Sequence, residues 1–116
     1  MAIDGEAHQV LVVFRSPPML MALASRDGQV AAKVETCGDA DDVFVDARRH
    51  RVYVSCGEGV VDVIEPAETG YRRLVRVPTV SGARTSLFVP DLDRLFVAVR
   101  AQSNEPAAIW VLRPAP

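Results

Sequence analysis

The sequence predicts an all-β protein built from a repeated unit of four strands, and three observations support this prediction. Short runs of Val, Ile, Leu, Phe and Tyr alternate with clusters of Gly, Pro, Asp and Ser at spacings of about 8–12 residues, which is typical of all-β domains. No long stretch carries the period of an amphipathic helix. Similar segments also recur along the chain at a regular distance, which indicates a repeat architecture.

The repeat becomes visible when residues 2–13 are set over residues 44–55. Asp4 then aligns with Asp46 at an offset of 42 residues. A third copy occupies residues 88–98: its RLFV segment lies 43 residues after RVYV, and its FV pair lies 44 residues after the earlier FV pair. These offsets predict a turn one residue shorter in the third copy. Four strands in about 40–45 residues is the period of a β-propeller blade.

The pattern divides the chain into three predicted blades within a single domain, residues 1–116. Their approximate ranges are 1–37, 38–79 and 80–114. The predicted strands are MAID, QVLVVF, LMALAS and VAAKVET in the first; residues 42–47, 51–55, 60–65 and 72–77 in the second; and SLFVP, RLFVAV and AIWVLR in the third. We therefore expect a partial β-propeller of about three four-stranded antiparallel blades, in which the third blade lacks its outer strand.

Two segments carry a family resemblance. VDARRHRVYVSCGEGVVDVIE, residues 45–65, resembles the YVTN-type β-propeller repeat, in which a D…RVYV hairpin precedes a glycine-bearing turn and a VDV-like strand. PTVSGARTSLFVPDLDRLFVAV, residues 78–99, is similar to the closing blades of bacterial propellers of that kind. The resemblance covers essentially the whole chain. It implies a scaffold with varied ligands, and fold alone does not determine activity.

Three blades are fewer than a complete ring, because propellers have about 4–8 blades. Three explanations stay open. Two copies associate into a six-blade ring, the chain is the C-terminal part of a longer propeller, or a separate protein partner carries the other blades. The sequence favours truncation or a split origin, with homodimerisation as the way such a piece persists. An open strand edge also invites pairing with another chain.

Composition and charge favour an ordinary globular domain. Apolar residues make up 49% of the chain and charged residues 24%, and the formal net charge is -2. Neither nucleic acid nor a membrane surface is an expected partner, because no basic cluster is present. Asp4 and Glu6 stand where a secretory signal places positive charge. The default expectation is a cytoplasmic protein, with the periplasm open if the chain is a fragment of a longer protein.

The order of the strands places the links between blades and the turns after each second strand on one face. The candidate ligand-binding residues on this face are Asp41, Asp42 and Arg84, since Arg84 would clamp a carboxylate or phosphate bidentately. In the alternative interpretation, the two aspartates cap backbone N–H groups and Arg84 pairs with an acid across the blade interface. This alternative is favoured, because charged loop residues are mostly structural or solvated.

Neither a metal nor a cofactor is predicted. Cys37 and Cys56 fall on the same face, and a disulfide between them stays open. Two partly buried thiols are the favoured interpretation, because a cytosolic protein seldom keeps a disulfide. A structural zinc site needs about four Cys or His ligands. His8 and His50 occupy equivalent turns on the opposite face, so they are interpreted as turn residues.

The function predicted from the sequence is that of a non-catalytic scaffold or binding module, whose partner is a protein or a second copy of the chain. The chain contains neither G-x-S-x-G nor H-E-x-x-H, and it is not predicted to be an enzyme. Phe96 and Trp110 are interpreted as packing residues. In the alternative, the chain is the C-terminal fragment of a larger propeller, such as a lyase or hydrolase whose catalytic residues lie in other blades.

Overall fold

The computed structural model describes residues 1–116 and contains eleven β-strands with one short 3-10 helix, Pro90–Leu92. The strands are β1 (Ala2–Asp4), β2 (Gln9–Arg15), β3 (Pro18–Ala24), β4 (Val30–Glu35), β5 (Ala40–Asp46), β6 (Arg51–Cys56), β7 (Val60–Ala67), β8 (Gly70–Pro78), β9 (Ser86–Val89), β10 (Arg94–Val99) and β11 (Ala108–Leu112). No helix is long and apolar enough to span a membrane.

The strands form three antiparallel sheets in which each strand pairs with its neighbour in the sequence. Sheet 1 contains β1 to β4, sheet 2 contains β5 to β8, and sheet 3 contains β9 to β11. The all-β prediction is confirmed, as are the counts of four, four and three strands. Each predicted strand overlaps an observed one, and β10 has the predicted bounds, because alternating apolar residues and turn clusters mark strand positions well.

The repeat is also present in the backbone of the turns that follow the first strand of each sheet. His8, His50 and Asp93 have positive φ values of 54°, 53° and 54°, and each immediately precedes the second strand of its sheet. Asp4 and Asp46 accept hydrogen bonds from backbone N–H groups three residues further on, at 3.0 and 3.2 Å. Both histidines therefore lie in turns, as predicted.

The prediction of a shorter turn in the third unit is wrong. Asp46 pairs with Arg51 across the turn of sheet 2, and Val89 pairs with Arg94 across the turn of sheet 3. The two turns therefore have the same length. Both strands of the sheet 3 hairpin lie 43 residues after the corresponding strands of sheet 2. The error arose because matching the letters FV placed Phe88 one residue out of register.

The sheets stack face to face, and sheet 2 lies between the other two. Alternate residues of β6 point to opposite sides, with Val52 and Val54 packing toward sheet 1 and Tyr53 packing toward sheet 3. Two apolar cores result. The first contains Leu11, Leu20, Ala22, Cys37, Ala40, Val43, Val52, Val54, Cys56 and Ile64. The second contains Tyr53, Val61, Val63, Ala83, Phe88, Leu95, Val97 and Val99.

We call the side of each sheet that points toward the next sheet its front face, and the opposite side its back face. Leu11 lies on the front face of sheet 1, and Tyr53, 42 residues later, lies on the front face of sheet 2. The back face of sheet 1 and the front face of sheet 3 are covered by nothing. The first presents Ile3, Val10, Val12, Phe14, Met19, Met21 and Leu23. The second presents Leu87, Phe96, Ala98, Ile109 and Val111.

One carboxylate is buried in the first core. Asp62 lies on β7 and is fully buried, yet it sits among apolar residues of the strand. It accepts hydrogen bonds from the backbone N–H of Cys37 at 2.8 Å and from Arg76 Nε at 2.7 Å. The bond with Asp62 raises the pKa of the Arg76 guanidinium. A buried charge is stable only when it is paired and hydrogen-bonded, and these contacts meet that need. The hydrogen bond from Cys37 also attaches the link after β4 to sheet 2.

Candidate functional site

The links between sheets converge on the turn that follows β6. We call the surface formed by residues 36–42, 56–59 and 79–85 the linker face. Gly57 N–H donates to the Asp39 carbonyl at 2.8 Å, and the Gly57 carbonyl accepts from Gly82 N–H at 2.7 Å. The turn CGEG of sheet 2 thus joins the links on both of its sides.

The interpretation of the two cysteines as thiols is wrong, because they form a disulfide. Cys37 and Cys56 are bonded with their Cα atoms 5.9 Å apart, and both are buried. This separation lies in the usual range for a disulfide. The order of the strands places both cysteines on one face, but it does not show that the link after β4 passes directly beside the end of β6.

Arg84 is held by an aspartate that was not among the candidate binding residues. Its Nε and Nη2 atoms donate to Asp39 Oδ2 at 2.9 and 2.6 Å. Asp39 has a φ of 58°, a left-handed conformation that Asp tolerates better than most residues. A Cβ atom at Gly57 would overlap the Asp39 carboxylate and lie 3.0 Å from Arg84 Nε. Glycine at this position is therefore required for the close approach of the ion pair.

The other two candidate residues have different partners. Asp41 accepts a hydrogen bond from Arg15 Nη2, and Arg15 Nε also lies 3.5 Å from Asp39 Oδ1. The hydrogen bond to Asp41, together with the charges of both aspartates, raises the pKa of Arg15. Asp42 accepts from the backbone N–H of Ser86 at 2.9 Å. These contacts join the end of β2, the start of β5 and the start of β9.

Asp41, Asp42 and Arg84 therefore share a surface but do not converge on one open site. Arg84 and Arg15 are both paired with aspartates, so neither guanidinium is left without a counter-charge for an anionic ligand. Their role as ligand-binding residues stays a prediction. What the geometry shows is a set of ion pairs and backbone contacts that join adjacent sheets.

The opposite face carries a depression of about 470 Å³ between sheets 1 and 2. The Tyr71 hydroxyl donates to Gln9 Oε1 at 2.6 Å inside it, and burial raises the pKa of Tyr71. At its rim, His50 Nδ1 lies 3.7 Å from Glu6 Oε2, and both side chains are exposed. No group of three or more His, Cys, Asp or Glu side chains is arranged to hold a metal ion.

The sequence interpretation missed Asp39 and Asp62 as structural residues. A signal existed for each: Gly-Asp before a strand is typical of a turn, and an acid within the apolar run VVDVIE is exceptional. Comparison of the chain with known protein families and with curated proteins finds no match. The resemblance to YVTN-type repeats therefore stays a prediction from the residues.

Proposed function

We propose that this chain is a non-catalytic scaffold whose three sheets are blades of a β-propeller, and that a second copy supplies the sheets that complete the ring. One observation supports this proposal above all. The two uncovered faces of the molecule correspond to the two halves of an interface that already occurs twice inside it.

Both internal interfaces pack a front face on a back face. The front of sheet 1 contacts the back of sheet 2, and the front of sheet 2 contacts the back of sheet 3. The remaining surfaces are the back of sheet 1 and the front of sheet 3. A second copy could place the front of its sheet 3 on the free back of sheet 1. This contact would have the same front-to-back arrangement as the two contacts inside the chain.

The free faces have the chemistry of an interface. On the back of sheet 1, Ile3 and Phe14 are 73% and 41% exposed. On the front of sheet 3, Ile109 and Val111 are 62% and 55% exposed, and they lie beside Leu87 at 54%. Contiguous exposed apolar surface is uncommon on monomeric proteins and marks sites of association.

The front-to-back contact is heterologous, and such contacts form closed rings when the rotation between subunits closes. Two copies of three sheets would close with two identical contacts and a total of about six blades, which is within the usual range for propellers. Phe96 lies on one of these contact faces, which supports its interpretation as a packing residue. The proposed role is structural: a rigid ring whose linker face presents loops for binding.

The test is the mass of the purified chain in solution, measured by light scattering across a dilution series. The proposal predicts about twice the chain mass of 12.6 kDa at micromolar concentration. Ile3→Asp places a charge on the free back face and should shift the protein toward monomer. The matched control is Leu92→Asp: Leu92 is 60% exposed but lies in the 3-10 turn, outside both free faces.

A well-folded wild-type chain that stays monomeric at micromolar concentration would contradict self-association. That result would favour the alternative, in which the remaining blades belong to a longer polypeptide or to a separate partner. A propeller lyase or hydrolase would then be the candidate class, with its catalytic groups in those other blades. Large, concentration-dependent particles would show that the contact repeats without closing, and this too would contradict the ring.

A further inference from the structure

The last strands of the three sheets differ in charge. β4 contains Lys33 and Glu35, and β8 contains three arginines. β11 has the sequence AIWVL and carries no charged residue. Proteins commonly protect an exposed strand edge from pairing by placing charged side chains on it. The edges of sheets 1 and 2 are protected in this way, whereas the edge of sheet 3 is not.

An apolar groove of about 350 Å³ lies beside the unpaired edge of β11. Its wall includes Leu74 and Val75 of β8, which are 43% and 48% exposed. The other side of β8 is covered, because β4 of sheet 1 packs there and places Ala32 in the same core as Tyr71. The groove is thus the position at which a fourth strand of sheet 3 would cover β8.

We propose that β11 and this groove bind one extended segment of another polypeptide, which adds to sheet 3 as its fourth strand. Main-chain hydrogen bonds to β11 would supply affinity, and alternate side chains would enter the groove. The segment should therefore have apolar residues at every second position. Arg113 lines the end of the groove and is exposed, so an acidic residue of the segment should lie nearest to it.

The layer beneath sheet 3 favours an isolated segment over a second copy of the chain. Sheet 2 packs on the back of sheet 3, and β8 already lies under the position of the added strand. Two copies joined edge to edge through β11 would bring their second layers to the same place. The inference does not depend on ring closure, which uses the free faces of sheets 1 and 3 and leaves the β11 edge outside.

The probe is the synthetic peptide acetyl-EVTVEVTV-amide, which alternates apolar and polar residues and carries acidic side chains. Titration into the full chain should slow hydrogen exchange of the Ala108–Leu112 amides and change the fluorescence of Trp110 with saturation. The matched control peptide has the same sequence with N-methylated valine amides. It keeps every side chain but loses pairing donors, and it should bind at least tenfold more weakly.

Variants of the chain test whether the peptide binds in the groove beside β11. Leu74→Asp should weaken binding of the peptide at least tenfold, whereas Leu92→Asp should leave it unchanged. Val75→Thr, a milder change in the same wall, keeps the test valid if Leu74→Asp fails to fold. Equal binding of both peptides, or unchanged exchange of β11 at millimolar peptide, would overturn the proposal. Protection of β11 by raised protein concentration alone would show that the occupant is a second copy, and would overturn it as well.

Discussion

Sheet 2 and sheet 1 have similar alternating patterns but different environments. Val54 on the back of sheet 2 is completely buried, whereas Val12, 42 residues earlier and on the back of sheet 1, is partly exposed. Cys56 is buried, and its counterpart Phe14 is 41% exposed. The difference in exposure comes from the neighbouring sheets and not from the sequence pattern, since only sheet 2 has a sheet packed on each side. The back face is therefore apolar in both sheets but covered only in sheet 2, and this contrast is the basis of the proposed association.

Sheet 2 also holds the polar contacts that fix the arrangement. Its disulfide and Asp62 attach the link from sheet 1, while Ser55 donates its hydroxyl to the Arg84 carbonyl at 2.6 Å and attaches the link to sheet 3. Sheet 2 is therefore the sheet to which both end sheets are attached. Each end sheet packs on sheet 2 with one face and leaves its other face uncovered.

The largest expected difference in stability is between substitutions at two equivalent positions, one buried and the other partly exposed. Ile64 is fully buried, and Leu23 is its counterpart on the free face of sheet 1. Ile64→Ala should lower the free energy of unfolding by about 4 kcal/mol, because it leaves a cavity in the first core. Leu23→Ala should cost about 1 kcal/mol in the monomer, since water already reaches the side chain.

Urea unfolding of dilute protein measures both changes in stability. If ring closure occurs, the cost of Leu23→Ala should rise at higher protein concentration, while the cost of Ile64→Ala should change much less. Equal costs for the two variants in the monomer would contradict the distinction between covered and free faces.

Loss of the disulfide is the next largest expected effect. The double variant Cys37→Ala with Cys56→Ala should be less stable by about 3 kcal/mol, because the bond closes a loop with a sequence separation of 19 residues. Thermal unfolding of the oxidised and reduced wild-type chain provides a second measurement, with mass spectrometry to count free thiols. An oxidised chain no more stable than the double variant would show that the disulfide does not stabilise sheet 2.

Arg84→Ala should have a smaller effect, of about 1 kcal/mol, because its side chain is 35% exposed and its ion pair with Asp39 is partly solvated. Gly57→Ala should cost more, since the added Cβ displaces the Asp39 carboxylate. Chemical denaturation compares the two variants. A loss of several kcal/mol for Arg84→Ala would show that the ion pair behaves as a buried one.

The smallest expected effect concerns acid stability at the junction of sheets 2 and 3. Arg49 donates to both carboxylate oxygens of Asp93, at 2.6 and 2.8 Å, and these bonds lower the pKa of Asp93 below its ordinary value of 3.8. The contribution of Asp93 is thus present above pH 3.8 and is lost as the pH falls toward the lowered value. Asp93→Asn should flatten the decline in stability of the chain between pH 5 and about 2. An unchanged acid profile would contradict this assignment.

Much of the fold followed from the sequence because it depends on local periodicity. Alternation in RVYVS and RLFVAV predicted β6 and β10, and the offset of 42 residues predicted equivalent turns at His8 and His50. The contacts of the linker face could not be predicted in the same way. Which acid pairs with Arg84, and whether Cys37 meets Cys56, depends on the path of irregular links in space. The strand pattern places these links on one face but does not give their path across it.

The most direct test of ring closure mixes two variants that are each unable to associate alone. Ile3→Asp disables the back face of sheet 1, and Ile109→Asp disables the front face of sheet 3. Each variant alone should be monomeric, because every contact in its dimer would contain one altered face. Their mixture should form a heterodimer through the single contact that keeps both wild-type faces, detectable by analytical ultracentrifugation. A mixture that stays monomeric although wild type dimerises, or a single variant that still dimerises, would contradict front-to-back closure of the ring.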